Sequence, residues 1–402
     1  MKYDFTSYLD RKGKDAAAYD SVGREGYGFA PDAPKEGFDI IPMWIADMNF
    51  PTVPAIPEAM IERARHPAYG YYLTPDAYYD AIIAWQRDRN KVENLTAGQI
   101  DYLNGVLGGV AAALKVLCGP GDPVLVHQPT YIGFTNTLKT NGYRIVHSNL
   151  KKDEDGIWRM DYQDMEEKIR KYHIHAAIFC SPHNPTGRVW EREEIEQAMD
   201  VYRRNDVYVI SDEIWSDLVL DGHRHIPTQS VSEDARQRTI ALYAPSKTFN
   251  LAGLVGSYSI IYNDRLRDLY LNELGRTHLN SMNVLSMHAL LGAYSAEGRK
   301  WVDELRTVLS ENVEYAVSFI HDHIPGAEVS RPQGTYMLFI DFSEWCREHG
   351  KTLQELKKAG WDVGVAWQDG EIFGGKNCIR MNLALPLSRV KEAFRRLEKY
   401  VL

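Results

Sequence analysis

The chain has 402 residues, of which 44% are hydrophobic and 11% aromatic, so it is long and apolar enough to bury one or two hydrophobic cores. This composition excludes a small peptide and a disordered chain. The 55 acidic residues outnumber the 46 lysines and arginines, and because the formal net charge of −9 is not interrupted by a basic patch, we expect neither nucleic acid nor an anionic membrane surface as a partner.

Short runs rich in β-branched residues alternate with helical stretches between about residues 105 and 262. The runs cover residues 124–127, 144–148, 177–180, 207–211, 240–243 and 257–262. Strands that alternate with helices in this way predict an α/β domain, with a mainly parallel sheet covered on both faces by helices.

The last third of the chain has a different pattern. A periodic apolar segment through Leu290, Trp301 and Val313 predicts one long connecting helix. Extended runs follow at residues 336–341 and 378–383, and then an amphipathic helix for which Ser388 is the expected N-cap. We therefore expect residues 46–289 to form a large domain, and residues 1–45 together with 290–402 to form a smaller α+β domain.

Cysteine spacing and the N-terminus indicate a cellular location. The four cysteines form no CxxC pair and have apolar neighbours, which is typical of free thiols in a reducing compartment. The N-terminus has no apolar segment of the signal-peptide type, and no run approaches the roughly 18 apolar residues of a membrane span. We expect a cytoplasmic protein, and no metal site, because the histidines lack carboxylate or cysteine neighbours at ligand spacing.

Polar side chains follow several of the predicted strands where each strand ends. Asn184 comes after residues 177–180, Asp212 after 207–211, and Lys247 after 240–243. Because ligands of such sheets bind beyond the carboxyl ends of the strands, we expect an amide, a carboxylate and an amine to meet there. With a glycine-rich helix start in NGVLGG at residues 104–109 to hold a phosphate, this set fits an aldehyde cofactor with a basic ring nitrogen.

The order and spacing of these residues resemble a known family. Asn184 and Asp212 are 28 residues apart, and Asp212 and Lys247 are 35 apart. From about residue 39 to 402 the chain resembles the fold-type I enzymes that use pyridoxal 5′-phosphate (PLP), such as the class I/II aminotransferases. It is most similar to their MalY/PatB-like branch of cystathionine β-lyases, through MWIADMNFP at 43–51, SPHNPTGRVW at 181–190, SDEIWSDL at 211–218 and PSKTFNLAGL at 245–254.

The resemblance implies which residues contact the cofactor. Lys247 would form the Schiff base, Asp212 would pair with the pyridine nitrogen, and Asn184 would donate to O3′. The other implied cofactor contacts are the Tyr131 ring on the pyridine face, the N–H groups of Val106 and Leu107 at the phosphate, and the hydroxyl of Ser246. A cis peptide bond between Asn184 and Pro185 is also expected.

The substrate and the partner subunit are implied in the same way. Arg380, in NCIRMNLALP, would bind the α-carboxylate of the substrate, with Asn184 and Tyr131 beside it. An interior salt bridge is the alternative interpretation of Arg380. Tyr71 resembles the tyrosine that one subunit sends into the phosphate site of the other, which implies a homodimer with shared active sites.

Three positions depart from the family's pattern. Many relatives carry an arginine eight residues after the lysine, and this chain has Val255 there. Trp215 replaces a tyrosine that aminotransferases have three residues after the aspartate, and Asn49 replaces an aspartate of the MWIADM motif. The phosphate charge must therefore be met by other groups, namely the helix end, hydroxyls and the neighbouring subunit.

The implied reaction is β-elimination from cystathionine or a related S-substituted L-cysteine, giving pyruvate, ammonia and a thiol. A thiol, with a pKa of about 8.5, is a far better leaving group than an alcohol. Transamination of an L-amino acid in the same site is the alternative, because both reactions share the loss of the Cα proton. A regulatory protein that binds a partner through the same fold is a third hypothesis.

Overall fold

The computed structural model describes residues 1–26, 28–220 and 222–402. Its strands are β1 (Ile41–Pro42), β2 (Ile100–Asn104), β3 (Pro123–Gln128), β4 (Arg144–Asn149), β5 (Lys151–Lys152), β6 (Trp158–Arg159), β7 (Ala176–Cys180), β8 (Tyr208–Asp212), β9 (Thr239–Tyr243), β10 (Gly256–Ile260), β11 (Glu328–Val329), β12 (Met337–Asp341), β13 (Val365–Ala366), β14 (Gln368–Asp369) and β15 (Cys378–Asn382).

The α-helices connect and cover these strands. They are α1 (Ala17–Asp20), α2 (Ala55–Arg65), α3 (Asp76–Asn90), α4 (Val106–Leu117), α5 (Ile132–Thr140), α6 (Tyr162–Tyr172), α7 (Arg192–Arg204), α8 (Glu233–Arg238), α9 (Ser246–Phe249), α10 (Asp264–Thr277), α11 (Val284–Ala293), α12 (Ala296–His323), α13 (Ser343–His349), α14 (Leu353–Asp362) and α15 (Leu387–Tyr400).

A seven-stranded sheet with the order β2-β10-β9-β8-β7-β3-β4 lies at the centre. The five strands from β9 to β4 are parallel, while β10 runs antiparallel to both β9 and β2. The prediction of a mainly parallel sheet is therefore confirmed. Strand β2 escaped the sequence analysis, because its IDYLN sequence has no β-branched run.

Helices bury both faces of this sheet. Successive side chains of a strand point to opposite faces, and β7 follows this rule. Ile178 packs in the apolar cluster that contains Val110 of α4, whereas Phe179 packs in the cluster that contains Met165 of α6. This two-sided burial explains why the central strands read as continuous apolar runs.

A second, antiparallel sheet with the order β11-β12-β15-β14 forms near the C-terminus. Its β12 and β15 match the extended runs expected at residues 336–341 and 378–383. The N-terminal part joins this region, because β1 pairs in parallel with β13. Arg380 lies in the middle of β15, opposite Phe339 of β12.

Two helix predictions are wrong in detail. The segment from Leu290 to Val313 is two helices, because α11 ends at Ala293 and Ser295 caps α12 by accepting a hydrogen bond from the Gly298 N–H at 3.1 Å. The turn brings the chain so close that a Cβ at Gly298 would lie 1.7 Å from the Ala293 oxygen. Helix α15 begins at Leu387 with Pro386 as its N-cap, so Ser388 lies inside the first turn and does not cap it.

The four cysteines are free; Cys118 is half-buried and the other three are buried. Within residues 1–26, 28–220 and 222–402, no helix combines the length and the apolar composition needed to cross a membrane.

Candidate functional site

A cavity of about 370 Å³ lies at the carboxyl ends of β7, β8 and β9. Parallel strands bring the residues that follow them to one edge of the sheet, and this is the edge at which ligands of such folds bind. The cavity is lined by seven of the sequence-predicted site residues: Val106, Leu107, Tyr131, Asn184, Asp212, Ser246 and Lys247. Arg380 and Tyr71 do not line it.

Lys247 supplies the amine of the site. It lies in the short helix α9, which follows β9, and its Nζ donates a hydrogen bond to the Ala46 carbonyl oxygen at 2.9 Å. The pKa of the Lys247 amine is lowered from 10.5 to about 8. Burial is the main cause and the Arg380 charge acts in the same direction, while Asp47 and Asp212 oppose the shift. At pH 7 roughly a tenth of this amine is therefore neutral and nucleophilic, far more than of an ordinary lysine.

Asp212 supplies a buried carboxylate at the end of β8. Its Oδ1 accepts a hydrogen bond from the Ile214 N–H at 3.1 Å. Burial raises the pKa of Asp212 from 3.8 to about 7; the neighbouring Glu213 charge adds to the rise, while the Ile214 N–H and Lys247 oppose it. Among the described residues no lysine or arginine forms an ion pair with Asp212, and the charge of Lys247 acts on this carboxylate only from a longer distance.

The carboxylate of Glu213 fixes the backbone next to Asp212, and the sequence analysis missed it. Its Oε2 accepts a hydrogen bond from the Tyr243 hydroxyl at 2.6 Å and lies 2.7 Å from His225 Nε2. Its Oε1 accepts from the Ser211 hydroxyl and from the Thr228 N–H, each at 3.0 Å. A buried carboxylate with four partners holds the end of β8 in one position.

Arg380 does not line the cavity, but it contacts Asn184, which does. Its Nη1 donates to Asn184 Oδ1 at 3.3 Å and its Nη2 donates to the Trp44 carbonyl oxygen at 3.0 Å, while the buried Nε has no partner. Burial lowers the pKa of Arg380 to about 10. No carboxylate of the described chain pairs with it, so the geometry is not that of an interior salt bridge. The Asn184–Pro185 peptide bond is cis, as expected from the sequence.

Residues 44–48, within the MWIADMNFP motif, accept hydrogen bonds from Lys247 and Arg380 through their backbone oxygens. Side chains of distant elements donate to these carbonyl oxygens: Arg380 to Trp44, Lys247 to Ala46, Asn382 to Ile45 and Asp47, and Arg11 and Asn250 to Met48. The Asp47 carboxylate also accepts from Arg11 Nη2 at 2.6 Å. Backbone acceptors have no sequence signature, which is why residue types alone did not identify this function.

The comparisons with known proteins place this site in a family. Residues 39–397 match the family model described as aminotransferase class I and II. The chain belongs to the class I and II aminotransferase family. It is 33% identical to the cystathionine β-lyase PatB of Bacillus subtilis (strain 168), over 98% of this chain and 99% of PatB. It is 32% identical to the protein MalY of Escherichia coli (strain K12), over 97% of this chain and 96% of MalY.

A solved structure agrees with this family membership. Cystalysin from Treponema denticola, whose crystal structure contains a pyridoxal 5′-phosphate cofactor, superposes on this chain with a TM-score of 0.90. The two chains are 29% identical, and the superposition covers 99% of this chain and 98% of cystalysin. The expected aspartate-aminotransferase-like fold is confirmed.

The phosphate end of this aminotransferase-family site has few charges. Helix α4 begins at Val106, after Gly105 with a φ of +83°, so the first N–H groups of the helix face the cavity region. Val255, which stands where many relatives carry arginine, lines the cavity with a φ of +60°. Among the lining residues that the structure describes, Lys247 is the one cation.

Aromatic rings complete the walls of the cavity. Tyr131 precedes α5 and packs edge-to-face on Phe134, with ring centroids 5.4 Å apart. Gly133 permits this position, because a Cβ there would lie 2.3 Å from a Tyr131 ring carbon. Trp215 is buried against Tyr336, and its ring centroid is 5.8 Å from Lys247 Nζ.

Two sequence-predicted positions lie away from the cavity. Tyr71 is fully exposed, beside the exposed Leu73, and does not reach the site of its own chain. Asn49 is buried, and its Oδ1 accepts a hydrogen bond from the Tyr19 hydroxyl at 2.9 Å while its Nδ2 has no partner. An aspartate at position 49 has no N–H donor in its side chain. The asparagine found here therefore adds a buried donor, its Nδ2, that has no hydrogen-bond partner.

Proposed function

We propose that the chain is a PLP-dependent C–S lyase that performs β-elimination on cystathionine or a related S-substituted L-cysteine, releasing pyruvate, ammonia and a thiol. The observation that carries the proposal is the meeting of an amine of lowered pKa, Lys247, with a buried carboxylate and a buried guanidinium that each lack an opposite charge. Such groups are unfavourable unless a ligand supplies their partners.

The donor set fits PLP group by group. The Lys247 amine fits the aldehyde, the Asp212 carboxylate fits a protonated ring nitrogen, and the Asn184 amide fits the phenolic oxygen. The N–H groups of Val106 and Leu107 at the start of α4, with the Ser246 hydroxyl, fit the phosphate. When bound, PLP supplies an electron sink that stabilises negative charge at the substrate Cα.

In the reaction, residues of this chain would bind the substrate, remove its Cα proton and exclude water. Arg380 would bind the substrate carboxylate with its two-pronged guanidinium, since no carboxylate of the described chain competes for it. Lys247 Nζ would remove the Cα proton, and a pKa near 8 suits a base that works near neutral pH. The Ala46 carbonyl oxygen would orient that amine, and burial at Asp212 would exclude water.

The leaving group decides between the two candidate reactions. In elimination the Cβ–S bond breaks and the thiolate leaves with the bonding electrons, after which water releases pyruvate and ammonia. In transamination the proton instead moves to the cofactor, and no residue of the site forbids that step. The similarity to PatB, which is a cystathionine β-lyase, supports elimination as the proposal for this chain. The regulatory role remains a prediction.

Assembly and location are proposed on separate grounds. A homodimer is supported by the neighbouring positions Tyr71 and Leu73, two large apolar side chains that are almost fully exposed. In such a dimer Tyr71 would reach the phosphate end of the partner's site. The division into residues 46–289, and 1–45 with 290–402, is supported by the seven-stranded sheet lying wholly in the first range. Free thiols support a cytoplasmic location.

The proposal is tested by incubating the PLP-loaded protein with L-cystathionine and measuring pyruvate. Lys247→Ala is expected to abolish pyruvate formation, while Lys139→Ala, which changes an exposed lysine of α5, keeps it. Borohydride reduction followed by peptide mapping gives a second readout, since PLP is expected on the peptide that contains Lys247. Full activity of the Lys247→Ala variant, or PLP fixed at another lysine, would overturn the assignment.

A further inference from the structure

A second cavity, also of about 370 Å³, opens on the side of the central sheet where β9 and β10 meet the segment after α3. Its walls come from the turn that follows α3, the start of α7, residues 224–230 and α8. It shares no lining residue with the candidate active site. We call it the basic cavity, after the cations that line it: Lys91, Arg192, Arg224 and Arg236.

The basic cavity concentrates positive charge in a chain of net charge −9. Among the described residues, four lysine and arginine side chains line it, against one carboxylate, that of Glu93. The nearest carboxylates to Arg192 and Arg236 are glutamates of their own helices at 3.5 Å, and Lys91 Nζ donates to a backbone oxygen. Exposed ion pairs of that length neutralise little charge, so the wall attracts anions.

The floor of the basic cavity is polar and buried. His225 is 3% exposed, and its Nε2 lies 2.7 Å from Glu213 Oε2. Its Nδ1 is buried without a hydrogen-bond partner, and the Arg236 Nε is also without one. A group bound in the cavity could give these two nitrogens the hydrogen-bond partners that buried polar atoms usually have.

The apolar part of the lining limits what this group is. Ile226, Ile260 and the rings of Tyr243 and Tyr262 line the same cavity. Arg236 stacks its guanidinium over the Tyr262 ring at 5.1 Å, which presents its N–H groups as a planar fork. A volume near the lower end of ligand sites, with a basic rim and aromatic walls, suits a small ring or chain that carries a doubly charged group.

We propose that the basic cavity binds a small organic phosphate, with the phosphate held by Arg192, Arg224 and Arg236 and the organic part against Tyr243 and Tyr262. The site is distinct from the one that fits the PLP phosphate, because the two cavities share no lining residue, although strand β10 contributes to both. The proposal does not depend on the reaction, and its test measures binding.

Phenyl phosphate is the probe, titrated into the PLP-loaded protein by isothermal calorimetry. PLP loading fills the other phosphate site, and sodium chloride at roughly 0.15 M screens unspecific attraction to surface charges. Saturable binding at one site per chain is expected, with inorganic phosphate competing. The double variant Arg224→Gln/Arg236→Gln is expected to bind at least about tenfold more weakly, since each lost contact is a hydrogen bond to a charged group.

A matched double variant controls for net charge. Arg347→Gln/Arg395→Gln removes two exposed arginines that pair with glutamates of their own helices, far from the basic cavity in sequence and on other elements. It is expected to bind phenyl phosphate like the parent protein. If the first variant does not fold, the single variant Arg224→Gln replaces it, since Arg224 is exposed and lies outside the helices and strands. No saturable binding, or equal affinity in the cavity and control variants, would refute the site.

Discussion

Replacement of Asp212 by asparagine should have opposite effects on the cofactor-free and cofactor-bound protein. The folded-state pKa of Asp212 is about 7, raised by burial above the ordinary 3.8. The folded chain therefore binds more protons than the unfolded chain between about pH 4 and pH 7, and this group makes stability fall as pH rises through that window. A shift of about 3 units corresponds to about 4 kcal/mol at pH 8, as an upper bound.

Asp212→Asn removes this pH-dependent contribution to the free energy of unfolding and leaves the side-chain volume nearly unchanged. Without PLP, the variant is expected to be more stable than the parent at pH 8, by as much as about 4 kcal/mol, and nearly equal to it at pH 4. With PLP bound, the parent is expected to be the more stable protein at pH 8. The Asp212 carboxylate of the parent then has the protonated ring nitrogen as its partner, and the asparagine of the variant has no charge to pair with it. Urea unfolding at pH 4, 6 and 8, with and without PLP, measures both differences.

An exposed carboxylate gives the control. Asp322→Asn, near the end of α12, changes one carboxylate of a 61% exposed side chain and should leave the pH profile of stability unaltered. The reasoning fails if Asp212→Asn shifts stability equally at pH 4 and pH 8, or if PLP stabilises variant and parent alike.

Three further outcomes follow from the geometry of the site. The rate at which PLP is captured by the cofactor-free protein, measured by borohydride trapping, should rise with pH around a midpoint near 8, the pKa of Lys247; a midpoint near 10.5 would contradict the burial of the amine. Val255→Lys should slow PLP loss on dialysis several-fold by adding a cation at the phosphate end, and an unchanged rate would show that this end is already neutralised. Gly133→Ala should weaken PLP binding, because the new Cβ would lie 2.3 Å from the Tyr131 ring. Gly275→Ala in α10, with open space around it, is the control and should bind PLP normally. Equal PLP affinities for the two variants would show that Tyr131 does not contact PLP.

Asn184, Asp212 and Lys247, which the sequence predicts to meet at one edge of the sheet, line one cavity, and local signals in the sequence mark all three. The strands that precede Asn184, Asp212 and Lys247 are buried on both faces, so each reads as an apolar run that ends in a polar residue. Once the strands are known to be parallel, their carboxyl ends must meet at one edge. That single rule brought together an amide, a carboxylate and an amine that are up to 63 residues apart in the chain.

The remaining parts of the site depend on contacts that no local pattern encodes. Residues 44–48 act through carbonyl oxygens, and these reach Lys247 and Arg380 only after the chain has folded back by some two hundred residues or more. Glu213 carries no signal of its own in the sequence, because its partners Tyr243 and His225 come from other segments of the chain. The break between α11 and α12 was hidden because apolar periodicity continues across it.

The most direct test of the account is a time course of pyruvate and homocysteine released from L-cystathionine by the PLP-loaded protein, with no keto acid added. The account predicts equal amounts of the two products over many turnovers per chain, and their loss in the Lys247→Ala variant. One conversion per bound cofactor without pyruvate, followed by amino transfer once a keto acid is supplied, would contradict β-elimination and establish transamination in its place.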